Sequence, residues 1–329
     1  MTLDTVSRIS NGRMASGIGL VFPGQGSQSV GMGKAFYDAV PAVRKVYDEA
    51  AEILGYDVAS LCFNGPADRL NLTEFTQPAL LVASMAAFRV LEGSGIRAVA
   101  VAGHSLGEYS ALVAAGGLSF PSAVSLVQKR ARYMTEAVPS ASGLVAAILG
   151  LSPDAVRQVC LESASAGIVA PANYNGPGQV VIAGEKAAVQ CAIARAKDKG
   201  CRKAVLLPVS VPVHTPLMQP AADRLAHDVA AVQWSDLNVP LVNNADAKAI
   251  QQASEARASV IRQLPSPVLW EDSVRAMSAR GVTTFIEVGP GTVLTALIKR
   301  IAPEAATYNV YDPASLEETV NALTVHRVT

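Results

Sequence analysis

Five small apolar residues, Ala98 to Ala102, run into Gly103-His104-Ser105-Leu106-Gly107 and then at once into a helical stretch at 108–115. A buried strand that turns on glycine straight into a helix is the unit of a parallel α/β sheet, because parallel strands need a crossover helix between them. The pattern recurs. Residues 19–22 read as a strand ended by Pro23-Gly24-Gln25-Gly26. Residues 284–288 read as a strand that reaches Gly289-Pro290-Gly291 before a helix at 293–301. Further helices are expected at 38–54, 77–91, 121–137, 216–232 and 268–279, and a further strand at 239–243. Between about 140 and 208 the texture changes. Strands at 144–149, 180–183 and 204–207 alternate with helices at 153–163 and 185–199, the mark of a small ferredoxin-like α+β unit inserted in a larger α/β fold.

Composition sets outer limits. Half of the 329 residues are hydrophobic and 16% are charged, enough to bury a large core and too apolar for a disordered chain. The length predicts two domains, or one large domain with an insert. Twenty-seven basic residues balance 27 acidic ones, which argues against nucleic acid as a partner. A membrane span needs about 20 mostly apolar residues. A long uncharged stretch, 111–128, is broken by Gly116, Gly117, Ser119 and Pro121. The first residues carry Asp4, Arg8 and Arg13 without an apolar core, so they do not read as a secretory signal, and residues 1–17 are expected to form a flexible extension. Four cysteines without C-x-x-C spacing form no disulfide framework. The expectation is a soluble, cytoplasmic protein that does not engage a membrane.

Gly103-x-Ser105-x-Gly107 matches the G-x-S-x-G pattern, and its strand-to-helix context gives the match weight. A sharp turn at that point lifts the serine hydroxyl to the carboxyl edge of the sheet. The helix that follows aims its N–H groups and dipole at a developing oxyanion. A serine nucleophile needs a base. Of the four histidines, His104 is the serine's own neighbour, whose side chain diverges at such a turn. His227 lies within a helix, and His326 is close to the C-terminus. His214, in the proline-bracketed loop Pro212-Val213-His214-Thr215-Pro216, is the candidate base by elimination.

The first turn, Phe22 to Gln28, fits no phosphate-binding G-x-x-x-x-G-K-[ST] register, because Gln28 stands where the first glycine belongs. A glycine-flanked N–H there can serve instead as a second oxyanion donor beside the Leu106 N–H. Arg130 sits beside the apolar stripe Val124, Val127, Ala131 and Met134. An arginine there either snorkels to solvent or, if buried, takes a carboxylate in its planar fork. The sequence alone does not choose.

Eight ordered stretches resemble one family: FPGQGSQ (22–28), TQPAL (76–80), GHSLGEYSAL (103–112), LVQKRARYM (126–134), NYNGPGQVVIAG (173–184), PVSVPVHTPLM (208–218), RQLPSPVLW (262–270) and EVGPG (287–291). In this order they are similar to the bacterial malonyl-CoA:acyl-carrier-protein transacylases of fatty-acid synthesis, relatives of the acyltransferase domains of polyketide synthases. The resemblance implies an α/β-hydrolase-like core (18–139 and 209–329) with a ferredoxin-like subdomain (140–208). It also implies Ser105 as nucleophile, His214 as general base and acid, the Gln25 and Leu106 N–H groups as the oxyanion hole, Arg130 as binder of the malonyl carboxylate, and the Gln263 carbonyl as orienter of the histidine. Malonyl-CoA and acyl carrier protein are the implied partners of a monomer without a metal or bound cofactor. The coenzyme A thioester enters as substrate, and the phosphopantetheine arrives on the carrier. Val213 departs from the pattern, since the bacterial enzymes carry serine just before the base. That position bears on how strictly the pocket prefers malonyl to methylmalonyl.

Two other readings fit parts of the sequence. A serine esterase or thioesterase-type hydrolase would need the order Ser105, Glu287, His326 and an HGGG-like segment, which is absent. A catalytically inactive carrier-protein docking module would use the basic run Arg195, Lys197, Lys199, Arg202 and Lys203 against an acidic partner.

Overall fold

The computed structural model describes residues 17–139, 142–209 and 211–325. Apart from Gly17, the expected N-terminal extension lies outside them, as does His326. Among the described residues the ten strands are β1 (Gly17–Phe22), β2 (Ala100–Gly103), β3 (Gly143–Leu149), β4 (Val169–Gly176), β5 (Gln179–Glu185), β6 (Lys203–Leu206), β7 (Leu241–Val242), β8 (Ala249–Ile250), β9 (Val282–Val288) and β10 (Ala306–Val310). They form two sheets. The larger has the order β10-β9-β1-β2-β7-β8 and is parallel except for the short β7–β8 pair. The smaller is antiparallel, in the order β4-β5-β3-β6. The fold is α/β, an α/β-hydrolase-like parallel sheet accompanied by a ferredoxin-like α+β unit.

In the large sheet Phe22 of β1 lies opposite Gly103 of β2, and Ala102 lies opposite Val242 of β7. The carboxyl ends of β1, β2 and β7 therefore emerge together, where parallel α/β sheets place ligands. Beneath the sheet runs the helix Thr73–Glu92, in which every residue from Thr76 to Phe88 is buried. A helix apolar on all sides belongs inside a core. Among the described residues no helix is long and apolar enough to cross a membrane.

Several details differ from the sequence expectation. The helix expected at 38–54 is two helices, Lys34–Ala39 and Pro41–Leu54. Pro41 forces Val40 into an extended conformation, with φ −124° and ψ 107°. The ferredoxin-like unit has a fourth strand, β4, whose sequence VAPANYNG carries the proline, asparagines and glycine that mask a strand. That strand lies at the sheet edge and shifts register twice, which accommodates Pro171. At the C-terminal side, β10 and the helix Pro313–Val325 complete the large sheet and were not anticipated.

Edge strand β4 also ties the small sheet to the segment that leads into the helix Trp270–Ala279. Tyr174 N donates to Val268 O at 2.9 Å, and Val268 N donates to Ala172 O at 2.8 Å. This bridge draws Val268 out of the expected helix, which begins at Trp270.

Candidate active site

β2 ends at Gly103, and the chain reverses through His104 and Ser105 into the helix Gly107–Ala114. Ser105 has φ +51°, a left-handed backbone that non-glycine residues seldom adopt. The helix starts two residues after the serine, at Gly107. Both flanking glycines are required by packing. A Cβ on Gly103 would meet the Gly107 carbonyl, and a Cβ on Gly107 would meet the Phe22 carbonyl at the end of β1. The turn can be this tight only because neither position carries a side chain.

The turn brings Ser105 Oγ to 2.6 Å from His214 Nε2. His214 Nδ1 lies 3.0 Å from the Gln263 carbonyl. A carbonyl can only accept, so Nδ1 carries the proton and Nε2 accepts from the serine hydroxyl. His214 is itself left-handed, with φ +58°. It is 2% exposed, and burial, followed by the nearby positive charge of Arg130, pushes its pKa down to about 3. The imidazole is thus neutral at ordinary pH. His104 turns away from the serine, as expected, and Nε2–H donates to Asn175 Oδ1 at 2.8 Å. His227 is exposed on the helix Gln219–Ala231.

Arg130 resolves the choice left open by the sequence: it is 0% exposed. Its Nη1 donates to Gln77 Oε1 at 2.6 Å, and Nη2 donates to Gln263 Oε1 at 2.9 Å and to Ser105 Oγ at 3.1 Å. Every one of these partners is neutral. The N–H groups of Gln25 and Leu106 have no acceptor among the described residues. By contrast, the Ser105 N–H is taken, donating to Asn244 Oδ1 at 2.7 Å. The structure therefore brings together Ser105, His214, Arg130 and Gln263, and places Gln25 and Leu106 with Ser105 and His214 around one cavity of about 90 Å³. Its apolar wall is formed by Met134, Val145, Leu207, Val209 and Val213, of which Val145 lies on β3 of the smaller sheet. Among the described residues no cluster of His, Cys, Asp and Glu could hold a metal ion.

Two polar residues of this site receive no role from the sequence reading, Asn244 outside the motif stretches and Glu108 within one. Asn244, just past β7, donates through Nδ2 to Gly103 O at 2.7 Å while it accepts from Ser105 N. Glu108 is 0% exposed and accepts from Asn244 N at 2.9 Å, Ser259 Oγ at 2.9 Å and Gln263 Nε2 at 3.0 Å. Only the parallel pairing of β7 with β2 brings Asn244 to the serine. Glu287, the acid a hydrolase would require, is spent elsewhere. Its carboxylate accepts from Leu294 N, Thr295 N, Thr295 Oγ1 and Asn309 Nδ2, fixing the start of the helix Val293–Ile301.

A parallel α/β sheet with a serine at such a turn, faced by a neutral histidine and a buried arginine, marks a class, and comparison with known proteins names it: residues 20–318 match the acyl transferase domain family. The chain is 49% identical over 297 residues to the malonyl CoA-acyl carrier protein transacylase of Salmonella typhimurium, covering 90% of this chain and 96% of that protein. The Bacillus subtilis protein of the same name is 45% identical over 309 residues, covering 94% and 98%. Among solved structures, a type II PKS acyl-carrier protein in complex with its malonyl-transacylase matches with a TM-score of 0.91 and 45% identity, over 93% of this chain and 100% of that one. The chain belongs to the malonyl CoA-acyl carrier protein transacylase family.

Proposed function

We propose that this protein moves the malonyl group of malonyl-CoA to the phosphopantetheine thiol of an acyl carrier protein, through an ester on Ser105. One observation carries the reading: Ser105 Oγ lies within hydrogen-bond reach of both a neutral histidine and a buried arginine. A simple ester hydrolase needs the first and has no use for the second.

In the first half-reaction Ser105 Oγ attacks the thioester carbonyl carbon while His214 Nε2 takes the hydroxyl proton. The Gln25 and Leu106 N–H groups receive the oxyanion of the tetrahedral intermediate. Its collapse breaks the C–S bond, and the imidazolium returns the proton to the departing coenzyme A sulfur. The Gln263 carbonyl holds the imidazole in the required tautomer throughout. In the second half-reaction the pantetheine thiol gives its proton to His214 and attacks the ester, and Ser105 leaves with that proton. Arg130, one hydrogen bond from the ester oxygen, anchors the free carboxylate of the acyl group and so selects a dicarboxylic donor.

In this reading residues 18–139 and 209–329 form the catalytic unit and 140–208 the ferredoxin-like subdomain, with the acyl pocket between them. Coenzyme A and phosphopantetheine enter as parts of the substrates, and no step calls for a resident cofactor. The reading places the protein in the cytoplasm, where malonyl-CoA and carrier protein meet. The direct test is labelling by radioactive malonyl-CoA. Ser105→Ala should take up no label, and retained label would remove Ser105 from the mechanism.

A further inference from the structure

Arg130 and Glu108 are both fully buried, and each is surrounded by neutral groups. Arg130 donates only to the side-chain oxygens of Gln77, Ser105 and Gln263. Glu108, in the first turn of the helix Gly107–Ala114, accepts only from Asn244 N, Ser259 Oγ and Gln263 Nε2. The two charges share one neighbour. The Gln263 amide takes the guanidinium on its oxygen and gives its N–H to the carboxylate, so its dipole lies between the two.

We propose that Glu108 is the built-in counter-charge of Arg130, held one amide away by Gln263, and that it sets how strongly the pocket selects a carboxylate-bearing acyl group. An isolated buried guanidinium is costly, and a direct carboxylate partner would occupy the donors a substrate needs. An interposed amide also takes one donor, but it is a neutral and therefore weaker acceptor that a substrate carboxylate can displace. The arginine is neutralised at short range, yet its fork stays free of any other carboxylate. The helix N-terminus beneath Glu108 favours the negative form, as does the guanidinium beyond Gln263. Burial outweighs its three donors and Arg130, so the Glu108 pKa lies above the ordinary carboxylate value. Selection of the donor then has two parts: attraction by Arg130, and moderation of that attraction by Glu108.

Glu108→Gln separates them. The new amide can place its oxygen where Asn244 N and Gln263 Nε2 donate, and its nitrogen towards Ser259, whose hydroxyl can turn to accept. With the resident anion gone, the substrate carboxylate is the only charge left to balance Arg130. The KM for malonyl-CoA should fall, and the malonyl-to-acetyl ratio of kcat/KM should rise about tenfold, the size expected for one unit charge removed at this range. An unchanged or lower ratio would overturn the proposal.

The proposal rests on the reading of Arg130 as the carboxylate anchor, so a second measurement addresses the pair without any substrate. Thermal melts of E108Q, R130M and E108Q/R130M form a cycle. For paired charges the double variant should be more stable than the sum of the two single losses allows, since neither charge is left alone. Strictly additive losses would overturn the pairing. If E108Q alone does not fold, a folded double variant supports the pair and an unfolded one refutes it. Coupled melts with an unchanged ratio would leave the charges paired but overturn the claim that Glu108 sets donor selection, whereas equal losses of malonyl and acetyl transfer in R130M would count against Arg130 as anchor.

Discussion

The backbone N–H of Ser105 donates to Asn244 Oδ1 at 2.7 Å, so a side chain from the end of the next strand holds the serine's own main chain. Gln263 Nε2 completes the clamp by donating to Ser105 O at 2.9 Å. A non-glycine residue in the left-handed region costs on the order of 1–3 kcal/mol and persists only where its surroundings hold it. The clamp also occupies the Ser105 N–H, so in the proposed mechanism the oxyanion falls to the Gln25 and Leu106 N–H groups.

Replacing Asn244 by leucine should therefore slow acylation more than it weakens binding. The expected result is a fall in the single-turnover acylation rate of about 10- to 100-fold, with KM for malonyl-CoA within about threefold of wild type, as for other losses of catalytic positioning. Asn244→Asp keeps the acceptor for Ser105 N and should recover part of the rate. A leucine variant with wild-type acylation would show that the clamp does not position the nucleophile.

The turn itself should tolerate nothing larger than glycine. Gly107→Ala drives a methyl group into the Phe22 carbonyl, a backbone atom that cannot give way without moving β1. A loss of about 3 kcal/mol or more is expected, visible as a lowered midpoint in urea unfolding together with lost activity. A stable, active alanine variant would contradict the close approach.

Arg130→Gln should lower kcat/KM for malonyl-CoA by roughly 30- to 1,000-fold, the equivalent of about 2–4 kcal/mol for a charge-assisted contact. Acetyl-CoA, which lacks the carboxylate, should lose much less. The two rates measured side by side decide the matter, and equal losses would show that the guanidinium serves the fold and not the acyl group.

The position of His214 fixes a pH dependence. Burial first, and Arg130 second, hold its pKa down near 3, below the ordinary histidine value of about 6.5. The base form thus survives into acid, and the acid limb of kcat/KM should fall well below pH 6.5. Arg130→Gln removes the second cause, so the limb should move to higher pH. Stability follows the same sign. The unfolded chain takes up a proton as pH falls through about 6.5 while folded His214 does not, so this stabilising contribution is complete above that pH and is lost progressively down to about 3. An acid limb at 6.5 or above in the unaltered protein would contradict the geometry.

Val213 lines the acyl cavity beside His214. Trimming it to serine makes room for a branch methyl and should raise the methylmalonyl-to-malonyl ratio of kcat/KM about tenfold, the range that one methyl group commands in an apolar pocket. An unchanged ratio would place acyl-size control elsewhere in the cavity.

The chain advertises what depends on local spacing and conceals what depends on crossing the sheet. Gly103-x-Ser105-x-Gly107 is legible because strand, turn and helix are contiguous, and His214 because so few histidines compete with it. Arg130 was located but not oriented: beside an apolar stripe, a snorkelling arginine and a buried one have the same spacing. Asn244 lies outside every motif stretch, and Glu108, inside one, gave no sign of its partners. They are 136 residues apart, and they meet only because β7 pairs in parallel with β2. β4 was hidden for a different reason, since an edge strand can carry a proline and two register shifts that erase its alternation.

The central claim is a two-step transfer through Ser105, and intact-protein mass spectrometry tests it most directly. The protein is mixed briefly with malonyl-CoA, then with a holo acyl carrier protein. The account predicts a malonyl-sized adduct that maps to Ser105, disappears when the carrier is added and reappears on the carrier thiol. Free malonate and coenzyme A accumulating without transfer to the carrier would contradict it and leave a hydrolase in its place.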